Sequence, residues 1–101
     1  MTSKERAFLK KMAGNLDCVL SLGKSTLTPE FTQAVNEAVT ARELIKINVL
    51  KNCDADIHQV AEMLANRTKS TVVQIIGRKI VLFKKAKENS KYEFNSKHEK
   101  N

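Results

Sequence analysis

Tryptophan is absent from this chain, proline occurs once, glycine three times, cysteine twice, and the aromatic residues are one Tyr and four Phe. Each scarcity excludes something. So few rings cannot supply an aromatic-rich core or a row of stacking platforms for bases, so Leu, Ile, Val and Ala must fill the interior. Cys18 and Cys53 stand far apart, with no CxxC pair and no His at a zinc-binding spacing, and read as reduced, partly buried residues. No apolar run approaches the roughly 20 residues that span a bilayer, and Met1-Thr-Ser-Lys-Glu-Arg6 lacks the hydrophobic core of a secretion signal. The expectation is a cytoplasmic protein with no membrane partner. Acidic residues are also few, 11 Asp and Glu against 18 Lys and Arg, which leaves a net charge of +7 and a pI near 9.6. Such an excess in 101 residues points to a polyanion, with nucleic acid the first candidate.

What is present suits one small domain. Apolar residues make up 42% and charged residues 29%, enough for a single core between one sheet and a few helices. Thr2-Ser-Lys-Glu5 has the form of a capping box, and Phe8, Leu9, Met12, Ala13 and Leu16 recur at helical spacing before a stop at Gly14-Asn15. Cys18 to Leu22 reads as a short strand. Thr28 offers an N-cap and Pro29 the first position of a second helix that runs to about Ala41, with Phe31, Val35, Ala38 and Val39 on its core face. From Leu44 to Leu50 the chain alternates Ile45, Ile47 and Val49 against Lys46 and Asn48, a strand with one solvated face from which Lys46 projects.

Asn52-Cys-Asp-Ala-Asp56 provides turn and capping chemistry for a third helix marked by Ile57, Val60, Ala61 and Leu64, and His58 falls off its stripe without a nucleophile or carboxylate at catalytic spacing. Thr71-Val-Val-Gln-Ile-Ile76 and Ile80-Val-Leu-Phe83 flank Gly77-Arg78-Lys79 and read as a hairpin with inner, two-faced strands. Residues 86–101 are Lys, Glu, Asn and Ser with only Tyr92 and Phe94 as large apolar groups, too few to offset ordering entropy, so a mobile tail is expected beyond a domain over 1–85. That tail carries four Lys and three Glu, so the folded part holds the remaining +6. The order helix-strand-helix-strand-helix-strand-strand predicts an α/β two-layer domain with a mixed four-stranded sheet.

The stretch that invites chemistry is Leu20-Ser-Leu-Gly-Lys-Ser-Thr-Leu-Thr-Pro-Glu-Phe31. Gly23 offers backbone freedom and close approach, Lys24 a cation, and Ser25 and Thr26 hydroxyls, all suited to phosphate, and the junction with the second helix adds free N–H groups and dipole. A phosphate-loop nucleotide site is the first reading to test. It fails upstream, where Cys18 stands in place of the required Gly and Val19 to Leu22 look like strand, and the helix begins well after Lys24. No Asp at the end of an apolar strand presents itself for magnesium. An open Gly loop that clamps a strand of RNA by its backbone needs only the close approach, the cation and the hydroxyls, and loops of this kind hold about four nucleotides in one class of RNA-binding module.

Three stretches in order, Leu22-Gly-Lys-Ser-Thr-Leu-Thr28, Glu43-Leu-Ile-Lys-Ile47 and Val73-Gln-Ile-Ile-Gly-Arg-Lys-Ile-Val-Leu-Phe83, resemble the CRM (chloroplast RNA splicing and ribosome maturation) domain in its stand-alone bacterial YhbY-like form. The resemblance implies a fold similar to the C-terminal domain of the bacterial initiation factor that binds the small ribosomal subunit. It also implies RNA binding without catalysis, associated with precursors of the large subunit. Gly23 and Lys24 map onto the family's Gly-x-x-Gly-Leu-Thr loop, Thr26 replaces its second Gly, and Lys69 replaces a Gly often found after the Thr that corresponds to Thr68. The expected RNA site is Gly23, Lys24, Ser25 and Thr26, extended by Lys46, Arg78 and Lys79, with no catalyst, metal, cofactor or small-molecule substrate. Arg78 and Lys79 read equally as solvated cations at a turn. The rival readings are a basic adaptor for an acidic protein and, behind it, a nucleotide binder.

Overall fold

The structure, a computed structural model, describes residues 1–24 and 27–87 together with Ser90 and Tyr92. The elements run α1 (Ser3–Ala13), β1 (Leu20–Leu22), α2 (Pro29–Arg42), β2 (Leu44–Val49), α3 (Ile57–Thr68), β3 (Thr71–Ile76) and β4 (Lys79–Phe83). The four strands form one mixed sheet in the order β1-β2-β4-β3, with β1 parallel to β2 and β4 antiparallel to both its neighbours. This is the predicted α/β order and sheet. Ladder pairing in β1 begins at Leu20 rather than Cys18, although the Val19 N–H already donates to Lys46 O at 2.9 Å.

Alternation along the strands divides the interior. Leu22, Ile45, Ile47, Val49, Ile80 and Leu82 share one face with Val35 and Val39 of α2 and Val60, Ala61 and Leu64 of α3. Leu44, Val73, Val81 and Phe83 point the other way and pack on Leu9 and Ala13 of α1. The two-layer expectation is therefore corrected: α1 forms a partial third layer on the opposite face. Its footprint is narrow, because Leu9 is fully buried while Phe8 and Met12 of the expected apolar stripe remain exposed. Burying Leu9 is worth about 2–3 kcal/mol by area, so α1 needs further attachment.

That attachment is polar. Thr2 caps α1, its hydroxyl accepting from Glu5 N–H at 3.1 Å while Glu5 Oε1 accepts from Thr2 N–H at 3.0 Å. One turn on, Arg6 reaches the edge strand β3, where its Nη1 donates to Val72 O at 2.8 Å and Val73 O at 2.7 Å. The register shifts at this point: Val72 pairs with Leu82 and Gln74 with Val81, so Val73 is the extra residue of a β-bulge. A bulge interrupts the ladder and leaves carbonyls to be satisfied, and the guanidinium supplies the donors.

Two non-glycine residues take positive φ. Lys69, at φ 56° and ψ 42°, ends α3 in the left-handed conformation that suits Gly, its N–H and that of Ser70 both donating to Ala65 O. The Gly expected from the family at this position has a physical reason. Glu43, at φ 68° and ψ −52°, ends α2 and is only 3% exposed. Its Oε2 accepts from Ala86 N–H at 2.9 Å and from the Ser90 hydroxyl, while its carbonyl accepts from Lys84 N–H at 2.8 Å. Beyond them the Tyr92 ring meets Phe83 edge-on at 5.8 Å. Within the stretch whose composition suggests mobility, Ala86, Ser90 and Tyr92 thus have defined attachments to the body.

Three outcomes are expected. Arg6→Ala should cost about 1–2 kcal/mol in denaturant unfolding, since two charge-assisted bonds are lost at an edge that water can partly re-satisfy. Lys69→Gly should raise stability by about 1 kcal/mol by removing the Cβ penalty at positive φ. Tyr92, the single tyrosine, is held above its ordinary value of 10.0 by burial and then by the Glu43 carboxylate. A phenol with a raised folded-state pKa contributes stability below the ordinary value and loses it as pH climbs through the raised one. Ultraviolet titration should place its ionisation above pH 10, and Glu43→Gln should move it part of the way back.

Candidate nucleic-acid interface

The loop after β1 starts from a buried anchor. Leu22 lies in the core, and its carbonyl accepts from Leu50 N–H at 2.8 Å, which carries the β1–β2 pairing to the end of both strands. Gly23 follows, lying against Leu50 and Asn52, and Lys24 is exposed. Ser25 and Thr26 lie outside the described residues. A Cβ on Gly23 would stand 3.5 Å from Leu50 Cδ1 and 3.6 Å from Asn52 Oδ1, ordinary contacts, and its φ is not positive. Positive φ at Gly23 is thus not used, and close approach is the property that the RNA-binding expectation asks of it.

The helix end is less available than the sequence suggests. Thr28 Oγ1 accepts from Phe31 N–H at 3.1 Å, and Glu30 places a carboxylate in the first turn of α2. Both oppose a second anion there, so the loop is the better phosphate candidate.

Arg78 and Lys79, neighbours in sequence, take different positions. Gly77, at φ 57°, and Arg78 form a two-residue turn closed by the Ile76–Lys79 pair, the pattern of a type II′ hairpin. Lys79 therefore belongs to β4. Arg78 turns onto the end of β2: Nε donates to Val49 O at 2.9 Å and Nη2 to Leu50 O at 2.7 Å, while Val49 N–H donates to Arg78 O at 2.7 Å. Part of its guanidinium is committed to holding the Leu50–Asn52 wall beside Gly23, with further N–H donors left over.

Lys46 and Lys79 share the sheet face that α1 only partly covers. The register places Ser21, Asn48, Lys79 and Ile76 in one row across all four strands, and Lys46, Val81 and Gln74 in the next. Two strand spacings, roughly 10 Å, separate β1 from β4, so the loop and this face meet at one end of the sheet. Ser21, Asn48 and Gln74 were not among the sequence-predicted site residues. Period-two alternation already marked Asn48 as solvated, but the bulge at Val73 breaks that pattern before Gln74.

Among the described residues no group of three or more His, Cys, Asp or Glu could hold a metal ion, and no helix is long and apolar enough to cross a membrane.

Comparison with known proteins agrees with this architecture. The chain is 41% identical over 93 residues to the Bacillus subtilis protein named Probable RNA-binding protein YqeI, covering 92% of this chain and 97% of that one. It is 32% identical over 89 residues to a Haemophilus influenzae protein named RNA-binding protein, covering 87% and 89%. The solution structure of the Staphylococcus aureus protein SAV1595 superposes with a TM-score of 0.79 at 34% identity, covering 93% of this chain and 98% of that one. The sequence pattern of the CRS1 / YhbY (CRM) domain matches residues 1–84, and with these relatives it shows that the chain belongs to that family.

Proposed function

We propose that this protein binds RNA as a non-catalytic module, and that its target is ribosomal RNA during assembly of the large subunit. The observation that carries the reading is the meeting of the Gly23–Lys24 loop with the Lys46 and Lys79 face at one end of a sheet in a chain of net charge +7. The names of the bacterial relatives support RNA as the partner class. The narrower target rests on the resemblance to the YhbY-like form.

In this arrangement Lys24 neutralises a phosphate, Gly23 lets the backbone come close, and Ser25 and Thr26 add hydroxyls to the same loop. Lys46 and Lys79 extend the footprint over the sheet. Arg78 acts chiefly on the wall beside Gly23 and offers its remaining donors to the ligand.

Crosslinking in cells followed by sequencing of the attached RNA should concentrate on large-subunit ribosomal RNA and its precursors; an even spread over messenger RNA would refute the target. In binding titrations Lys24→Ala should weaken different RNAs by similar factors and reduce the slope of log affinity against log salt by about one, as loss of one phosphate contact requires. Gly23→Ala separates fold from binding. Its stability should stay within about 0.5 kcal/mol of wild type, because among the described residues the added methyl meets only ordinary contacts, while RNA affinity falls by roughly three- to tenfold through lost approach.

A further inference from the structure

Between the C-terminal turn of α1 and the uncovered half of the sheet lies a cleft of about 210 Å³ lined by Ala13, Gly14, Lys46, Gln74, Ile76, Lys79 and Val81. We propose that this cleft receives one unpaired base of the bound RNA, with Gln74 reading the base edge and Lys46 and Lys79 holding the phosphates that flank it. The proposal rests on the RNA-binding reading above and adds to it a single-strand, base-discriminating subsite.

Size comes first. Pockets for drug-sized ligands run from about 300 to 1,000 Å³, so this cleft suits one flat ring system. Its floor is apolar, and Ile76, 58% exposed beside two lysines on a sheet face, offers an aliphatic surface on which a flat ring can lie out of water. Charge selects the occupant further: among the described residues the ionised groups lining the cleft are Lys46 and Lys79, with no carboxylate to oppose an anion.

Gln74 supplies the specific element. Its half-buried amide makes no hydrogen bond within the described residues, leaving donors and an acceptor at the edge of an apolar floor. The bulge puts it there. In an unbroken β3, Val73 would face α1 and Gln74 would turn toward α2 and α3, an amide in an aliphatic core. The extra residue at Val73 lets Gln74 pair with Val81 and share its face, and Arg6 fixes the bulge through the Val72 and Val73 carbonyls. Re-aiming a side chain at a functional surface is a recognised use of such bulges. The row from Ile76 through Lys79 and Asn48 to Ser21 then leads to the Gly23–Lys24 loop, so a strand gripped at the loop can cross the sheet to the cleft. Unpaired RNA is read in this manner, with bases splayed onto a surface and bonded at their edges.

The test is a fluorescence-anisotropy titration of the full chain with oligo(A), oligo(U) and oligo(C) on the order of 12 nucleotides long, and an RNA duplex of equal length. Wild type should discriminate among the three single strands. Ile76→Ala should weaken single-strand binding by roughly three- to tenfold without changing the salt slope or the duplex affinity. Gln74→Leu should bring the three single strands to within about twofold of one another, and Gln74→Glu, which keeps the shape and adds an anion, should weaken all of them about tenfold. Lys24→Ala serves as the reference for the loop. If it weakens RNA while the Ile76 and Gln74 variants bind like wild type, the cleft proposal falls and the RNA-binding reading stands. Equal losses on duplex and single strand in Ile76→Ala, no base preference in wild type, or displacement of the RNA by an oligo(Glu) peptide that depends equally on Ile76 also overturn it. Absence of RNA binding by wild type sinks both readings.

Discussion

Burial of β4 on both faces is the constraint on which the rest depends. Ile80 and Leu82 sit in the core with α2 and α3, while Val81 and Phe83 sit under α1, so one five-residue strand joins the two apolar clusters. A strand buried on both faces from Ile80 to Phe83, with only Lys79 at its start exposed, must lie inside the sheet, and β2 and β3 on its flanks satisfy its backbone. With β4 central, β1 and β3 become the edges. The short β1 ends in the Gly23–Lys24 loop, and β3 carries the bulge and its Arg6 clamp. Placement of both proposed contact regions therefore follows from where the most apolar strand has to go.

The same constraint explains why half of one face stays open. α1 covers Leu44, Val73 and Phe83 with little more than Leu9 and Ala13, then stops at Gly14. Past that point the strands offer Lys46, Asn48, Gln74 and Lys79, which tolerate solvent and would make a poor helix-packing surface. A longer α1 would have to bury these groups. The open face is thus the consequence of a short helix and of polar residues at alternate strand positions.

Much of this was legible in the chain. Period-two alternation placed β2 with Lys46 on its solvated side, and the caps at Thr2 and Thr28 marked helix starts that the structure shares. Of the two β-branched runs read as inner strands, Ile80–Phe83 is one, whereas Thr71–Ile76 forms the edge strand β3, a correction that follows from β4 taking the place between β2 and β3. What escaped is of one physical kind. Which face α1 covers is decided by the sheet it meets, because Leu9 and Ala13 would serve on either side. The bulge at Val73, the positive φ of Glu43 and the attachment of Ala86, Ser90 and Tyr92 all arise from tertiary contacts between distant segments. Arg78 is instructive as a surface cation on paper whose guanidinium satisfies two carbonyls at the end of β2.

Gly23 closes the argument about where a ligand approaches. Gly77 is explained by its turn, which needs positive φ, and at Gly14 a Cβ would stand only 3.3 Å from Lys11 O, tighter than most real contacts. Gly23 has neither reason: its φ is ordinary and a methyl would fit against Leu50 and Asn52. Gly23 lies beside the exposed Lys24, at the end of a wall held by Arg78. Long-range attraction from the net charge brings a polyanion to the surface, but screening erodes that within about 10 Å at moderate salt. Only groups able to touch a phosphate directly retain their hold, and in the proposed arrangement these are the Gly23 backbone, as the more discriminating contact, and Lys24, as the stronger one.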